Sequence, residues 1–217
     1  MQTNPSDIKN LILDFGGVIY EISHQKQMET FAELGIRNFD ELYSQARQSP
    51  LFADLECGRL DHGKFRNEVG RFIGRNISEA EIDKAWNSIL VGFPEENVRF
   101  LEKLGKRYEL FLLSNTNAIH YDIYIREFYE NYGYDFNRLF TKVFWSFKVG
   151  MRKPEPDIYE HVKKHVGAHD NCNCLFIDDT QTNISAAENS GIPSLWLKPG
   201  MKLKDLFDEN LDLKITG

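Results

Sequence analysis

Short, continuous apolar runs alternate with stretches of helical periodicity along this chain. Leu11–Leu13 is the first such run, of the kind a fully buried strand shows, and it stops abruptly at Asp14, ahead of Gly16 and Gly17. Leu110–Leu113, Val143–Trp145, Cys174–Ile177 and Ser194–Leu197 repeat the pattern. Between them the spacing predicts helices: Pro94–Arg107 with Val98, Leu101 and Leu104 inward, a long one after Asn117 carrying Tyr121, Tyr124 and Phe128, one over Asp157–Val166, and one from near Thr182 that Gly191 ends. Pro94 suits the first turn of its helix. Met201–Leu211 reads as a last helix. Strands alternating with helices predict an α/β fold, a parallel sheet with helices on both faces.

One segment breaks the alternation. From Ser23, a plausible N-cap, the periodicity stays helical with no strand between. Met28, Phe31, Ala32 and Leu34 form one apolar face, a second helix is predicted over Phe39–Arg47, and Gln48-Ser49-Pro50 breaks it. Leu51–Leu60 is less regular, a helix follows over Asp61–Ile73, and Ser78-Glu79-Ala80-Glu81 is a capping box ahead of Ile82, Trp86 and Leu90. Residues 20–93 are therefore read as a helical insert whose aromatic and Met positions pack inward.

Composition narrows the functions. At 217 residues the chain suits one domain or a core plus a smaller insert, and its net charge of −7 comes with no Lys/Arg cluster that would mark a nucleic-acid footprint. An anionic substrate must then be drawn by a local site or a metal ion. Three cysteines, Cys57, Cys172 and Cys174, are too few for a secreted disulfide scaffold and suit a reducing cytoplasm. Cys172-Asn173-Cys174 lacks the second Cys/His pair of a zinc site and reads as a loop leading into a strand. No secretory segment opens the chain and no run approaches the length of a membrane span.

Parallel strands bring their carboxyl ends to one edge, where open α/β sheets place ligands. That edge would carry Asp14, Ser114, Lys153 (on the loop after the third strand) and Asp178-Asp179. Singly, each fits a bland role: a strand exit, an N-cap sequence, a solvated turn. Together, in this order at strand ends, they suit Mg2+ held by Asp14, the Gly16 carbonyl and one of Asp178 and Asp179. Ser114 can donate to a phosphoryl oxygen and Lys153 brings a compact positive charge. Gly16 and Gly17 let backbone come close to an ion or phosphate. The chemistry implied is phosphoryl transfer to Asp14 and hydrolysis of the product.

The motifs Leu-Asp-Phe-Gly-Gly-Val, Leu-Leu-Ser-Asn-Thr, Gly-Met-Arg-Lys-Pro-Glu-Pro-Asp-Ile-Tyr and Phe-Ile-Asp-Asp-Thr-Gln-Thr-Asn-Ile, taken with the insert after the first of them, resemble the haloacid dehalogenase-like hydrolase superfamily. Ser-Asn-Thr-Asn and Gly-Met-Arg-Lys-Pro-Glu look closest to its sugar-phosphate branch, which includes α-glucose-1-phosphate phosphatase. The resemblance implies a Rossmann-like core of residues 1–19 and 94–217 and a C1 cap of residues 20–93. It makes Asp14 the nucleophile, gives Mg2+ to Asp14, the Gly16 carbonyl and Asp179, and leaves Asp178 and Asn183 to hold metal-bound waters or orient the loop. Ser114 and the Asn115 amide, with the Gly17 backbone, would take the phosphate, and Lys153 would neutralise charge. The expected partner is a small phosphorylated metabolite, and the expected state a cytoplasmic monomer or weak homodimer.

One position departs from most phosphatases of the superfamily: Gly16 stands where a second Asp serves as general acid and base. Such assistance is worth roughly 10²–10⁴-fold, so its loss implies slower turnover of unactivated esters unless another group supplies the proton. The candidates are Tyr20, Glu21, His24, Glu56 and Arg59. The sugar-phosphate branch also shows Gly here, and an anomeric phosphate needs less acid help. The alternatives are a phosphate-ligand binding protein with little turnover and a metal-independent 2-haloacid dehalogenase.

Overall fold

In the computed structural model, which describes residues 5–35, 50–74, 77–166 and 173–214, the predicted runs become one parallel sheet. Its strands are β1 (Asn10–Leu13), β4 (Glu109–Ser114), β5 (Lys142–Trp145), β6 (Cys174–Asp178) and β7 (Ser194–Trp196), in the order β5-β4-β1-β6-β7. Side chains alternate across it. Leu11 and Leu13, Leu110 and Leu112, Leu175 and Ile177 enter one apolar layer; Ile12, Phe111, Leu113 and Phe176 enter the other. Burial on both faces is why these strands read as unbroken apolar runs. Each large side chain so buried contributes about 1.5–3 kcal/mol.

Helices cover both layers. On the first lie α5 (Glu95–Leu104), through Val98, Leu101 and Leu104, and α6 (Ala118–Tyr132), through Tyr124 and Phe128. On the second lie α8 (Pro156–Val166) and α9 (Gln181–Asn189), through Ile158, Tyr159, Val162, Ile184 and Ala187. A four-residue helix α7 (Ser146–Val149) follows β5 directly. The aromatic enrichment of α6 and the segment after it is packing: Phe15, Tyr20, Phe93, Tyr124, Phe136 and Trp145 interlock around Phe15 with centroid separations from 4.6 to 5.8 Å.

The insert is helical: α1 (His24–Glu33), α2 (Pro50–Glu56), α3 (His62–Ile73) and α4 (Glu79–Asn87). Ser23 caps α1 by accepting from the Lys26 N–H, Asp61 caps α3, and Ser78 and Glu81 close the capping box of α4. Phe31, Leu55, Phe65, Val69, Ile82, Ala85 and Trp86 form a core of their own, to which Ile119 of α6 contributes. The predicted helix over Phe39–Arg47 falls outside the described residues.

Several expectations are corrected. The insert is not free of strands: β2 (Glu21–Ile22) and β3 (Leu90–Gly92) pair antiparallel where the chain leaves and rejoins the sheet domain. Strands this short carry no periodicity of their own. The stretch read as irregular after Ser49 begins with helix α2, because Pro50 starts that helix. Pro94 is the N-cap of α5, one position outside its first turn. The tail is no helix: a 3₁₀ turn over Leu203–Leu206 is followed by a bridge between Phe207 and Leu213, which buries its apolar residues without helical spacing. Cys57 is a free, buried thiol, whereas Cys174, at the start of β6, is disulfide-bonded, against the expected set of reduced thiols. No helix of the described residues is long and apolar enough to cross a membrane.

Candidate active site

Register fixes the site. Leu13 lies opposite Leu112 of β4 and Ile177 of β6, so Asp14, Ser114 and Asp178 all emerge at the carboxyl edge of adjacent strands. The Asp14 N–H still donates to the Ile177 carbonyl at 2.9 Å, holding the aspartate beside β6. Oxygens of Asp14, Asp178 and Asp179 lie within 4.8 Å of one another.

Lys153 is the counter-charge. Its ammonium is buried, 2.7 Å from Asp14 Oδ1 and 2.6 Å from Asp178 Oδ2. Burial alone would lower its pKa, but the two carboxylates overcome that and hold it charged above its ordinary value. Asp178 is fully enclosed: besides Lys153 it accepts from the Asn183 side-chain amide at 3.1 Å and from the Thr180 N–H at 2.7 Å. Asn183 is itself set by α9 and by Tyr159, whose hydroxyl donates to the Asn183 carbonyl at 3.0 Å. Asp178 therefore anchors the lysine, and Asp179, which is the more exposed, faces the opening.

Three carboxylates against one ammonium leave two net negative charges, the complement of one divalent cation. The strain of that imbalance is visible in Asp14: burial, then the Asp178 charge, push its carboxyl up to about 7 against the pull of Lys153. Burial and Asp178 raise Asp179 in the same way. An all-oxygen donor set with excess negative charge is what a hard cation such as Mg2+ takes.

The other expected residues take definite roles. Asn115 accepts from the Lys153 N–H at 2.8 Å and donates its side-chain amide to the Lys153 carbonyl at 2.7 Å, so that side chain holds the lysine loop against the end of β4. Ser114, buried at the end of β4, stands beside it. The Gly17 N–H is committed to the Tyr20 carbonyl at 2.9 Å. What Gly17 supplies is room: its φ is +78°, and a Cβ there would lie 2.2 Å from Asp179 Oδ2. A Cβ on Gly16 would meet only Ile22, at 3.4 Å.

Among the candidate proton donors, Tyr20 is buried in the aromatic cluster and donates to Glu127 at 2.9 Å; burial first, then Glu127, raises its pKa. Arg59 is exposed and bonded to Asp54 at 2.8 Å. Glu56 is ion-paired with Arg152 at 2.8 Å, across from the insert to the loop that carries Lys153. Glu21 and His24 are exposed near the β2–β3 ribbon.

Sequence reasoning missed the second tie between insert and sheet domain. Asn117 caps α6 through the His120 N–H, and the His120 ring stacks on Trp86 of α4 at 5.2 Å, with its Nε2 3.2 Å from the Trp86 carbonyl. Asn117 was legible as an N-cap; its extension to Trp86 was not, because no local pattern encodes it.

A sequence profile of the haloacid dehalogenase-like hydrolases matches residues 8–191. D-ribitol-5-phosphate phosphatase of Bacteroides thetaiotaomicron is 31% identical over 186 residues, 85% of this chain and 89% of that protein. A sesquiterpene phosphatase of Aspergillus oryzae is 26% identical over 191 residues, 87% of this chain and 89% of its own. Among solved structures, a HAD-family enzyme of Bacteroides thetaiotaomicron in complex with magnesium and inorganic phosphate superposes with a TM-score of 0.82 at 32% identity, covering 93% of this chain and all (100%) of its own.

Proposed function

The chain belongs to the haloacid dehalogenase-like hydrolases, and from that premise we propose that it is a Mg2+-dependent phosphatase of a small polyhydroxylated phosphate ester, a sugar or alditol phosphate, with residues 20–93 as its cap. The observation that carries this reading is the meeting of Asp14, Asp178 and Asp179 within 4.8 Å around the buried Lys153. The named activity of the relative from Bacteroides thetaiotaomicron, hydrolysis of a pentitol phosphate, and the magnesium and phosphate held by the solved neighbour support it.

Asp14, the Gly16 carbonyl and Asp179 would hold the ion, with Asp178 and Asn183 behind them. Bound there, the ion supplies the charge neutralisation that lets an anionic carboxylate approach an anionic phosphoryl group. A carboxylate oxygen of Asp14 bonds to phosphorus as the ester P–O bond breaks. Ser114 and the Asn115 backbone N–H receive the phosphoryl oxygens, and Lys153 keeps Asp14 ionised and aimed. The leaving oxygen takes a proton, and water then cleaves the acyl phosphate, which restores the Asp14 carboxylate. With Gly16 in place of an acid, Glu21 and His24 are the two sequence candidates whose side chains make no hydrogen bond or ion pair among the described residues.

The test is phosphate release from D-ribitol 5-phosphate and α-glucose 1-phosphate, with Mg2+ and with chelator, beside Asp14→Asn. Activity should need Mg2+ and fall at least about 10³-fold in the variant, as for loss of a nucleophile. Turnover that survives chelation, or one stoichiometric burst without turnover, overturns the reading.

A further inference from the structure

Thr116 stands between two regular elements, past the end of β4 and one residue before Asn117, the N-cap of α6. It is buried, yet no backbone group among the described residues bonds its N–H or its carbonyl. Buried backbone groups outside a ladder or helix must find partners elsewhere. One side chain supplies both. The Thr116 N–H donates to Ser146 Oγ at 2.9 Å, and the Ser146 hydroxyl donates to the Thr116 carbonyl, also at 2.9 Å. The one proton of that hydroxyl, and a lone pair, are thus spent on a single residue 30 positions away. The third polar group of Thr116, Oγ1, accepts from the Tyr124 hydroxyl at 3.1 Å.

Register puts Ser146 there. Ser114 lies opposite Trp145 in the β4–β5 pair, so Ser146 leaves β5 level with the loop that leaves β4. Trp145 is fixed in the aromatic cluster around Phe15 and donates its indole N–H to Asn137 Oδ1 at 3.0 Å. Ser146 opens the short helix α7, but that helix has no side-chain cap bond. Two clamps therefore act on consecutive residues of the proposed phosphate loop. Asn115 is tied by its side chain to both backbone groups of Lys153, and Thr116 is tied by both backbone groups to Ser146. The Asn115–Thr116 peptide cannot rotate without breaking the bonds to Ser146, and the Asn115 side chain cannot swing without releasing Lys153.

We infer that Ser146 is a positioning residue for the phosphate grip: acting through Thr116, it fixes the backbone that aims the Ser114 hydroxyl and the Asn115 N–H. This rests on the phosphatase reading and adds to it a residue from the neighbouring strand end that sets the direction of the phosphate donors. Donors to a phosphoryl group work only when they are held in place beforehand, because a small misplacement is costly even when its source lies away from the chemistry. Removing the Ser146 hydroxyl leaves a buried N–H and a buried carbonyl unpaired. The loop must then turn to find other partners, and the two donors turn with it.

The experiment measures two affinities by calorimetry, well below the melting temperature: Mg2+ alone, and inorganic phosphate in the presence of Mg2+. Ser146→Ala removes both bonds, Ser146→Cys keeps the size with only a weak donor and acceptor, and Ser146→Thr keeps the hydroxyl. The dissociation constant of phosphate should rise about tenfold in Ser146→Ala and Ser146→Cys, the loss of roughly one good hydrogen bond. Ser146→Thr should recover most of it. The affinity for Mg2+ alone should not change, because Asp178 is held by its own bonds to Lys153, Thr180 and Asn183. Phosphate affinity unchanged in Ser146→Ala and Ser146→Cys, with only a lower melting temperature, assigns Ser146 to structure and overturns the inference while the phosphatase reading stands. Equal weakening of Mg2+ and phosphate shows a general loosening and overturns it too. Weakened phosphate binding in a protein that turns over no ester supports the positioning role and removes the phosphatase reading alone. A wild type that binds no phosphate with Mg2+ overturns both.

Discussion

Arg152 and Lys153 are neighbours in the chain, and each makes an ion pair at 2.6–2.8 Å, yet they belong to different regions. Lys153 turns into the floor of the crevice, where its side chain is 1% exposed and bonded to two carboxylates. Arg152 reaches Glu56 of the insert, and both side chains stay open to solvent by about a fifth to a quarter (21% and 26%). Equal distances do not mean equal energies. A buried pair is separated from the water that would otherwise solvate its charges, so breaking it strands the survivor; a partly exposed pair exchanges one set of partners for water. The floor is therefore a fixed electrostatic unit, and the Arg152–Glu56 pair is a weaker electrostatic tie that adds to the packing of Ile119 and His120 against the insert.

Lys153→Met gives the largest expected effect. It leaves Asp14 and Asp178 facing each other with no counter-charge, and loss of one partner of a buried pair costs about 3–5 kcal/mol. The sign of its pH dependence follows from Asp14. The Asp14 carboxyl sits at about 7 in the fold against 3.8 unfolded, so between those values the folded chain binds more protons, and metal-free stability falls as pH rises through that window. Without Lys153 the Asp14 carboxylate is disfavoured further. Denaturant unfolding in chelator should show the deficit of Lys153→Met growing from pH 4.5 to pH 8. A deficit that is flat across that range would show that the lysine serves packing and not charge.

Two adjacent glycines sharpen the contrast next. Gly17→Ala puts a Cβ at 2.2 Å from Asp179 Oδ2 in a backbone with φ of +78°. The backbone alone costs about 1–2 kcal/mol, and Asp179 must move away from the other two carboxylates. Gly16→Ala meets Ile22 at 3.4 Å, ordinary van der Waals contact, and should change stability by less than about 0.5 kcal/mol. Thermal melts with and without Mg2+ check both: Gly17→Ala should lose most of the Mg2+-induced rise, and Gly16→Ala should keep it. Equal loss in both would mean that the Asp179 approach is not what Gly17 is for.

The strand ends of the floor and the helices of the roof were legible in the sequence and the long-range ties were not, for one physical reason. Leu11–Leu13, Leu110–Leu113 and Cys174–Ile177 are buried on both faces, so each announces itself as an apolar run, and a parallel sheet leaves Asp14, Ser114 and Asp178 no choice of edge. The helix caps Ser23 and Ser78 were legible because their bonds close within three residues. The pair of hydrogen bonds between Asn115 and Lys153 spans 38 positions, and the single one from Gln27 to Trp86 spans 59. Neither leaves a local pattern. The two-residue strand Glu21–Ile22 exists only because Leu90–Gly92 lies beside it, and the tail was misread because its apolar residues pack on Phe100 and Tyr108 from a 3₁₀ turn and a bridge.

The smallest expected effect tests the roof itself. Glu56→Gln keeps the shape of the side chain and removes its charge, so a partly solvated pair should lose no more than about 1 kcal/mol. The loss belongs to the docking of insert on floor and not to the chemistry, because Arg152 makes its pair with Glu56 while Asn115 independently clamps the Lys153 backbone on both sides. KM for D-ribitol 5-phosphate should then rise a few-fold with kcat little changed, and added salt, which screens exposed charges, should narrow the gap between wild type and variant. A double-mutant cycle of Glu56→Gln with Arg152→Met reads the coupling directly. A coupling as large as the loss caused by Lys153→Met would place Arg152 in the same electrostatic unit as its neighbour, and the distinction between the buried pair and the partly exposed one would fail.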